Sequence, residues 1–456
     1  MRFSLIITLI LFFSSSYSQT FTISGYITDQ SNGESVFGAN IIVDSLRLGT
    51  TSNNFGFYSL TLPTGKHKIL YSYIGYDTKE LNVNLKADTL NNIEFFGSTS
   101  ELEEVKLYGE KSIVEKTETS VIDIPVKQIF KIPALLGEID VLKAIQLLPG
   151  VQSSEGTSGF YVRGGGPDQN LILLDGVPVY NAAHLGGLFS VFNPDAIKNI
   201  RLTKGGFPAR FGGRLSSILE IDMKEGNMKK FKGDVTIGLI SSKLTFEGPI
   251  IKDKTSFIIS ARRTYADLIV KPFIGETTNL SMYFYDLNMK INHKISNRDR
   301  VFLSSYIGRD QFGVDYQENE DSYSDELNFG LGYGNITSTL RWNHLFNNKL
   351  FSNTTLTYSR YAFNTDFGIK STQATSMGDE NYDIGFGYIS GIEDYAARID
   401  FDYSPNPNHE IKFGYSYTNH HFFPGETSLS LNFETPDMID DFSLDTLLNF
   451  SENIDV

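Results

Sequence analysis

Tyr283-Phe284-Tyr285-Asp286-Leu287-Asn288-Met289-Lys290-Ile291-Asn292 is the stretch on which the reading of this chain turns. Side chains alternate across an extended strand. Tyr283, Tyr285, Leu287, Met289 and Ile291 therefore share one face, and Phe284, Asp286, Asn288, Lys290 and Asn292 the other. Two later stretches repeat the pattern. Tyr395, Ala397, Ile399, Phe401 and Tyr403 alternate with Asp394, Ala396, Arg398, Asp400 and Asp402. Ile411, Phe413, Tyr415 and Tyr417 alternate with Lys412, Gly414, Ser416 and Thr418. An apolar face opposite a charged face, with tyrosines near strand ends, predicts a transmembrane β-barrel. A soluble antiparallel sheet with one wet face alternates in the same way. Connection lengths favour the barrel: short turns at 252–254, 296–298, 347–349 and 406–408 alternate with long loops near 266–280, 310–326 and 368–392.

Upstream of these strands the pattern changes. In 119–226, Asp140-Val141-Leu142-Lys143-Ala144-Ile145-Gln146-Leu147-Leu148 predicts a short amphipathic helix stopped by Pro149-Gly150. Tyr161-Val162-Arg163-Gly164-Gly165-Gly166 is a strand running into a glycine turn, and Leu171 to Pro178 a buried strand ended by an Asp-Gly turn. Pro194-Asp195-Ala196-Ile197 starts a helical turn and Ile200-Arg201-Leu202-Thr203 is a further strand. The whole is a compact α/β unit of about a hundred residues.

Residues 20–97 carry short strands separated by turn residues every ten or so positions, which predicts a β-sandwich. Between the two units, 98–118 is a charged connector. Its Glu103-Glu104-Val105-Lys106-Leu107 follows an acidic start and alternates enough to add a strand to a partner's sheet edge; a solvated linker is the plainer reading. At the start, Met1-Arg2, an apolar run from Leu5 to Phe13, and small residues at Ser16 and Ser18 predict a signal peptide over 1–18.

Composition excludes several function classes. The chain has 456 residues, a formal charge of −15 and no cysteine. The acidic balance argues against nucleic acid as a partner. Thiol catalysis, disulfide scaffolds and cysteine-ligated metals are ruled out. The seven histidines show no metal-site spacing, no G-x-S-x-G occurs, and Gly164-Gly165-Gly166 lacks the Lys-Ser/Thr ending of a phosphate loop. The sequence predicts no catalytic residue, no metal site, no cofactor and no enzymatic activity.

Specific recognition comes from the α/β unit. The stretch 141–151, Tyr161-Val162-Arg163-Gly164-Gly165, Leu174-Asp175-Gly176-Val177-Pro178, Ile200 to Gly205 and Ala209-Arg210-Phe211-Gly212-Gly213 resemble, in order, the plug domain of TonB-dependent receptors. Residues 19–97 resemble the carboxypeptidase-regulatory-like domain at the N-terminus of many Bacteroidetes outer-membrane receptors, with Gly25, Gly38-Ala39, Gly49-Thr50, Asn54, Gly56, Gly65 and Ile74-Gly75-Tyr76 on its pattern. The fold expected is mostly β: an N-terminal β-sandwich, an α/β plug domain over 119–226 and an incomplete antiparallel transmembrane β-barrel over 230–456.

The resemblance implies an outer-membrane receptor for TonB-energised import of a substrate such as a ferric siderophore or a glycan. It implies TonB with ExbB-ExbD, outer-membrane lipid and a SusD-like surface lipoprotein as partners, with Glu103, Glu104, Val105, Lys106 and Leu107 as the segment that TonB captures. Arg163 and Arg210 are then candidates to lock the plug to barrel carboxylates such as Asp286, Asp400 and Asp402, or else cover the plug surface without partners. Asn181 and His184 are candidates for a substrate-facing plug loop, or for an ordinary Gly-rich connection. A surface adhesion or signalling protein, or a non-functional truncated receptor, is the alternative. A barrel that holds a plug has about 22 strands. The residues after Gly226 suffice for about eight, so the chain reads as the N-terminal portion of a longer receptor. The seven carboxylates of 310–326 predict a solvated outer loop held extended by like charge, with calcium binding as the sharper reading.

Overall fold

The computed structural model describes residues 19–98, 120–134, 136–153, 159–436, 442–449 and 454–455. The expected signal peptide and the expected TonB segment, Glu103 to Leu107, lie outside them. The chain forms two compact units: 1–111 with 344–352 and 400–413, and 112–343 with 353–399 and 414–456.

In the first unit, two four-stranded sheets make the sandwich. One contains β1 (Thr20–Asp29), paired antiparallel with β4 (Phe57–Pro63) and parallel with β7 (Thr89–Leu90) and β8 (Ile93–Phe95). The other runs in the order β3 (Leu48–Thr51), β2 (Asn40–Val43), β5 (Gly65–Ser72), β6 (Lys79–Leu85). Ile23, Ile41, Leu62, Ile69 and Phe95 are fully buried between them, each worth about 1.5–3 kcal/mol of apolar burial.

Two of the glycines on the family pattern show different needs. Gly56 has φ +76°, a turn conformation that a Cβ disfavours. Gly25 lies inside β1, where a Cβ would meet the Asn91 carbonyl oxygen at 1.9 Å; close approach, not a turn, requires it. The two turns 344–352 and 400–413 also belong to this unit. Phe351 stacks on Phe57 at 5.2 Å, and Ser59 Oγ donates to the Asn348 carbonyl at 2.7 Å.

The second unit holds the α/β domain and most of a large sheet. The central sheet of the α/β domain runs β13 (Val177–Pro178), β12 (Asn170–Leu174), β17 (Ser217–Met223), β16 (Ile197–Thr203), β9 (Val121–Ile124). Two hairpins flank it: β10 (Val151–Ser153) with β11 (Phe160–Val162), and β14 (Ala183–His184) with β15 (Phe189–Ser190). Helix α1 (Val126–Ile129) is a single turn, and α2 (Val141–Gln146) is the predicted amphipathic helix. Asp140 caps α2 by accepting from Leu142 N at 2.8 Å and Lys143 N at 3.1 Å. Val141, Leu142 and Ile145 pack with Ile200, Leu202 and Leu219 in one core. The Asp-Gly turn forms as expected, with Asp175 at φ 48° and Gly176 at φ 85° joining β12 to β13.

Among the described residues the large sheet has eleven strands rather than about eight. Its order follows the chain: β18 (Lys232–Ile237), β19 (Ser241–Ile251), β20 (Thr255–Thr264), β21 (Thr278–Lys294), β22 (Asp299–Glu320), β23 (Tyr323–Asn347), β24 (Leu350–Thr375), β25 (Gly378–Asn406), β26 (His409–Glu434) and β27 (Phe442–Asn449). A short β28 (Ile454–Asp455) pairs with β26. Among the described residues β18 does not pair with β27, so the sheet is an open meander. All four predicted short turns are present. The loop near 266–280 contains a helical turn, α3 (Ala266–Val270).

The other two expected long loops are corrected: 310–326 and 368–392 are the ends of extended hairpins turning at 321–322 and 376–377. Cross-strand side-chain bonds support them, with Gln317 Nε2 donating to Glu326 and Ser371 Oγ to Asp325. Phe312, Val314 and Tyr316 alternate in the first, and Tyr382, Ile384, Phe386 and Tyr388 in the second, but the dense carboxylates of one and the glycines of the other read as loop signals. Among the described residues no group of three or more His, Asp or Glu side chains converges as a metal site, there or elsewhere.

Exposure distinguishes the two readings of the alternating strands. Asp286, Asn288, Lys290 and Asn292 are buried, whereas Tyr285 is 37% and Ile291 41% exposed. On β20, Ser256, Ser260, Arg262 and Thr264 are buried and Ile259 is exposed. A soluble sheet would bury its apolar face. This one buries its polar face and turns Leu244, Phe246, Leu303, Leu340 and Trp342 outward, the inside-out arrangement of a sheet solvated by lipid. No helix among the described residues is long and apolar enough to cross a membrane.

Candidate functional site: the polar contact between the α/β domain and the sheet

The buried face of the sheet packs on the α/β domain through charge pairs. Asp175 sits on the Asp-Gly turn, where β12 ends. Its side chain accepts from Met223 N at 2.9 Å and lies 2.9 Å from Lys290 Nζ on β21. Arg341 of β23 donates to its carbonyl at 2.8 Å. Burial works against the charged carboxylate, but Lys290, Arg341 and the Met223 amide together hold its pKa below the ordinary value.

Glu225, just past β17, lies 2.6 Å from Lys198 and 3.1 Å from Arg300 of β22. Burial opposes its charge, and these cations outweigh that effect and lower its pKa. Ser256 of β20 donates to the Glu225 carbonyl at 2.7 Å. Glu138, ahead of α2, accepts from Ser241 Oγ and from Arg262 of β20.

A third centre surrounds His184. Its Nδ1 is 2.5 Å from Asp310 of β22 and its Nε2 is 2.8 Å from Asp286 of β21. The ring stacks on Phe284 at 4.0 Å, with 5° between planes. Asp286 also receives Arg262 Nε at 2.7 Å and the Tyr306 hydroxyl at 2.7 Å. Buried charges persist only when paired and hydrogen-bonded, and each of these groups is.

The sequence-predicted residues fall in different places. Arg163 is exposed and donates to Ser120 Oγ at 3.2 Å; Arg210 lies 4.0 Å from Glu220 and over the Phe211 ring. Both sets of partners are in the α/β domain, and the described pairs with the sheet run through other residues. Of the sheet acids named with them, Asp286 does join the contact, but through His184 and Arg262. Asp402 accepts from Asn53 Nδ2 at 2.9 Å within the first unit.

Asn181 bonds to the sheet through its carbonyl, which accepts from Asn335 at 2.7 Å, while its side chain caps Ala183 N at 3.2 Å. His184 is 1% exposed and faces the sheet. The sequence reading missed Glu138, Asp175, Glu225, Arg262 and Lys290. Lys290 and Arg262 were legible as charges on the polar side of alternating strands. Asp175 was read only as a turn residue, because turn chemistry explains an Asp-Gly pair without any partner.

Comparison with known proteins agrees with this architecture. A model of the CarboxypepD_reg-like domain matches residues 23–107, and one of the TonB-dependent Receptor Plug Domain matches 114–217. The TonB-dependent receptor SusC of Bacteroides thetaiotaomicron is 29% identical over 225 residues, 46% of this chain and 22% of that protein. The TonB-dependent receptor P39 of Formosa agariphila is 27% identical over 249 residues, 51% of this chain and 23% of that protein. The matched part of this chain thus spans less than a quarter of these relatives.

Solved structures that match include the siderophore receptor PirA from Acinetobacter baumannii, at 14% identity, TM-score 0.35, and 70% and 69% coverage of the two chains. The ferric yersiniabactin uptake receptor FyuA from Yersinia pestis matches at 12%, 0.34, and 74% and 60%. The domain matches and receptor relatives define the class, a TonB-dependent receptor. More narrowly, the chain is a receptor of the Bacteroidetes type, in which a carboxypeptidase-regulatory-like domain precedes the plug and the barrel strands.

Proposed function

We propose that the intact receptor resides in the outer membrane and imports a substrate, a ferric siderophore or a glycan, with energy delivered by TonB, ExbB and ExbD. The observation that carries this reading is the inverted sheet, apolar outward and polar toward the plug. Lipid accounts for the first face, and a plug that must move accounts for the second. An apolar plug interface would lose the full burial energy on opening, about 25 cal/mol per Å². Paired charges are compensated by water once released, so a polar interface can hold a plug at rest and let it be remodelled under force.

In this reading Glu103 to Leu107 is the segment that pairs with TonB by strand addition. The similarity to SusC supports a SusD-like surface lipoprotein as the partner that presents cargo. The test is fractionation and uptake in cells that make the intact receptor. Recovery with the outer membrane, together with substrate uptake abolished by a protonophore, is the expected result. Recovery as a soluble periplasmic protein would overturn the reading.

A further inference from the structure

With the carboxylates ionised, the groups around His184 balance only when its ring is charged. From the sheet, Arg262 (β20), Asp286 and Asp310 face it, with Lys243 (β19) beside Glu138 at 3.7 Å. Tyr306 bonds to Asp286, and the Tyr333 hydroxyl accepts from Gly186 N at 2.9 Å. From the plug, Glu138 contacts Arg262. Two neighbouring acids add no uncompensated buried charge, one held by backbone amides and the other reached by solvent. Asp140 accepts three backbone N–H groups, and Asp195 is a quarter exposed, 3.9 Å from Lys243.

Three buried carboxylates, Asp286, Asp310 and Glu138, thus meet two fixed cations, Arg262 and Lys243. A neutral imidazole leaves one negative charge uncompensated in a buried site, which costs several kcal/mol. The hydrogen bonds agree. An ionised carboxylate only accepts, so a ring nitrogen on each side of His184 must donate, and both donate only in the imidazolium. The adjacent amide reinforces the contact, with Leu185 N donating to the other oxygen of Asp310 at 2.7 Å.

We propose that His184 is a proton-dependent clasp: as imidazolium it ties the plug loop 181–190 to β21 and β22, and loss of one proton loosens that loop. The proposal rests on the reading of this domain as a plug held by the barrel sheet. Burial opposes the charged ring, but Asp286 and Asp310 more than offset it and raise its pKa. A raised histidine contributes fully below its unfolded value of about 6.5. It still contributes above that pH, and the contribution is lost as pH climbs through the raised value. The clasp is therefore closed below the ordinary histidine value and loosens as pH climbs through the raised one.

The experiment uses the intact receptor in planar lipid bilayers. Urea is raised until the plug leaves and conductance appears, at about pH 6 and about pH 9.5, the two sides of the ordinary histidine range. The wild type is expected to release its plug at lower urea in alkali. His184→Gln, which keeps one donor but cannot be charged, is expected to release early at both pH values. Equal pH dependence in wild type and His184→Gln would overturn the clasp, as would a wild type indifferent to pH. Nitrogen NMR of histidine-labelled wild-type receptor in membranes gives an answer that needs no variant. Both His184 ring nitrogens should be protonated at about pH 6, and a neutral tautomer there overturns the proposal. No conductance step at any urea concentration, with the NMR result intact, would fault the plug reading and not the charge state.

Discussion

Lys290 Nζ lies 2.9 Å from Oδ2 and 3.1 Å from Oδ1 of Asp175, tying the middle of β21 to the turn that ends β12. The pair joins residues 115 apart in sequence. Both members are almost wholly buried, at 4% and 2% exposure. Each is the other's ionic partner there, with the Met223 amide and Arg341 adding to the compensation of Asp175.

Removing one member should therefore cost more than the pair is worth. Lys290→Met leaves the Asp175 carboxylate buried with the Met223 amide as its hydrogen-bond donor and no ion-pair partner at 2.9 Å, and is expected to destabilise plug docking by about 3–5 kcal/mol. Exchanging both, in Lys290→Met with Asp175→Asn, should recover part of that loss. Urea titration of the intact receptor, followed by protease cleavage of the plug, measures both. A loss under about 1 kcal/mol in the single variant would contradict the buried geometry.

Acid should weaken the same contact. The pKa values of Asp175 and Glu225 are lowered in the folded protein. Such groups stabilise fully above the unfolded carboxylate values of about 4, and the contribution is lost as pH falls through the depressed folded values. Plug protection against protease should hold from neutral pH to about pH 5 and fall below it. Asp175→Asn should remove part of the slope.

Arg163 and Arg210 offer the contrast. Their contacts, Ser120 and Glu220, are local and partly exposed. Alanine at either position is expected to change stability by no more than about 1 kcal/mol. If Arg163→Ala released the plug as readily as Lys290→Met, the locking role would return to the arginine.

Phe351 supports the first unit. It is 1% exposed and stacks on Phe57 and Phe55. Phe351→Ala is expected to cost about 3–5 kcal/mol there, and Phe351→Leu markedly less. Hydrogen exchange at Phe57 and Ser59 is the readout: faster exchange at both in the alanine variant is expected, and unchanged protection would remove the role.

The connector is tested by backbone chemistry. Proline at Val105 deletes an amide donor and fixes φ, which blocks strand addition. Energised uptake should cease while substrate still binds at the cell surface. Uptake at the wild-type rate would move the coupling segment elsewhere in 98–118.

Sequence alone determined whatever depends on local periodicity. The alternation of Tyr285, Leu287, Met289 and Ile291 with Asp286, Asn288, Lys290 and Asn292 placed β21 and its two faces, because a strand sends neighbours to opposite sides wherever it lies. Asp140 capped the start of α2, and Asp175-Gly176 set a turn, because caps and turns are made by residues a few positions apart. Only the tertiary structure decided where the charged face went and what each charge met. Asp175 with Lys290, and His184 with Asp286 and Asp310, are pairs more than 100 residues apart. Nothing in the local spacing marks such partners. The hairpin ends at 310–326 and 368–392 escaped for another reason: charge and glycine marked them as loops, and their pairing is with strands whose position only the fold sets.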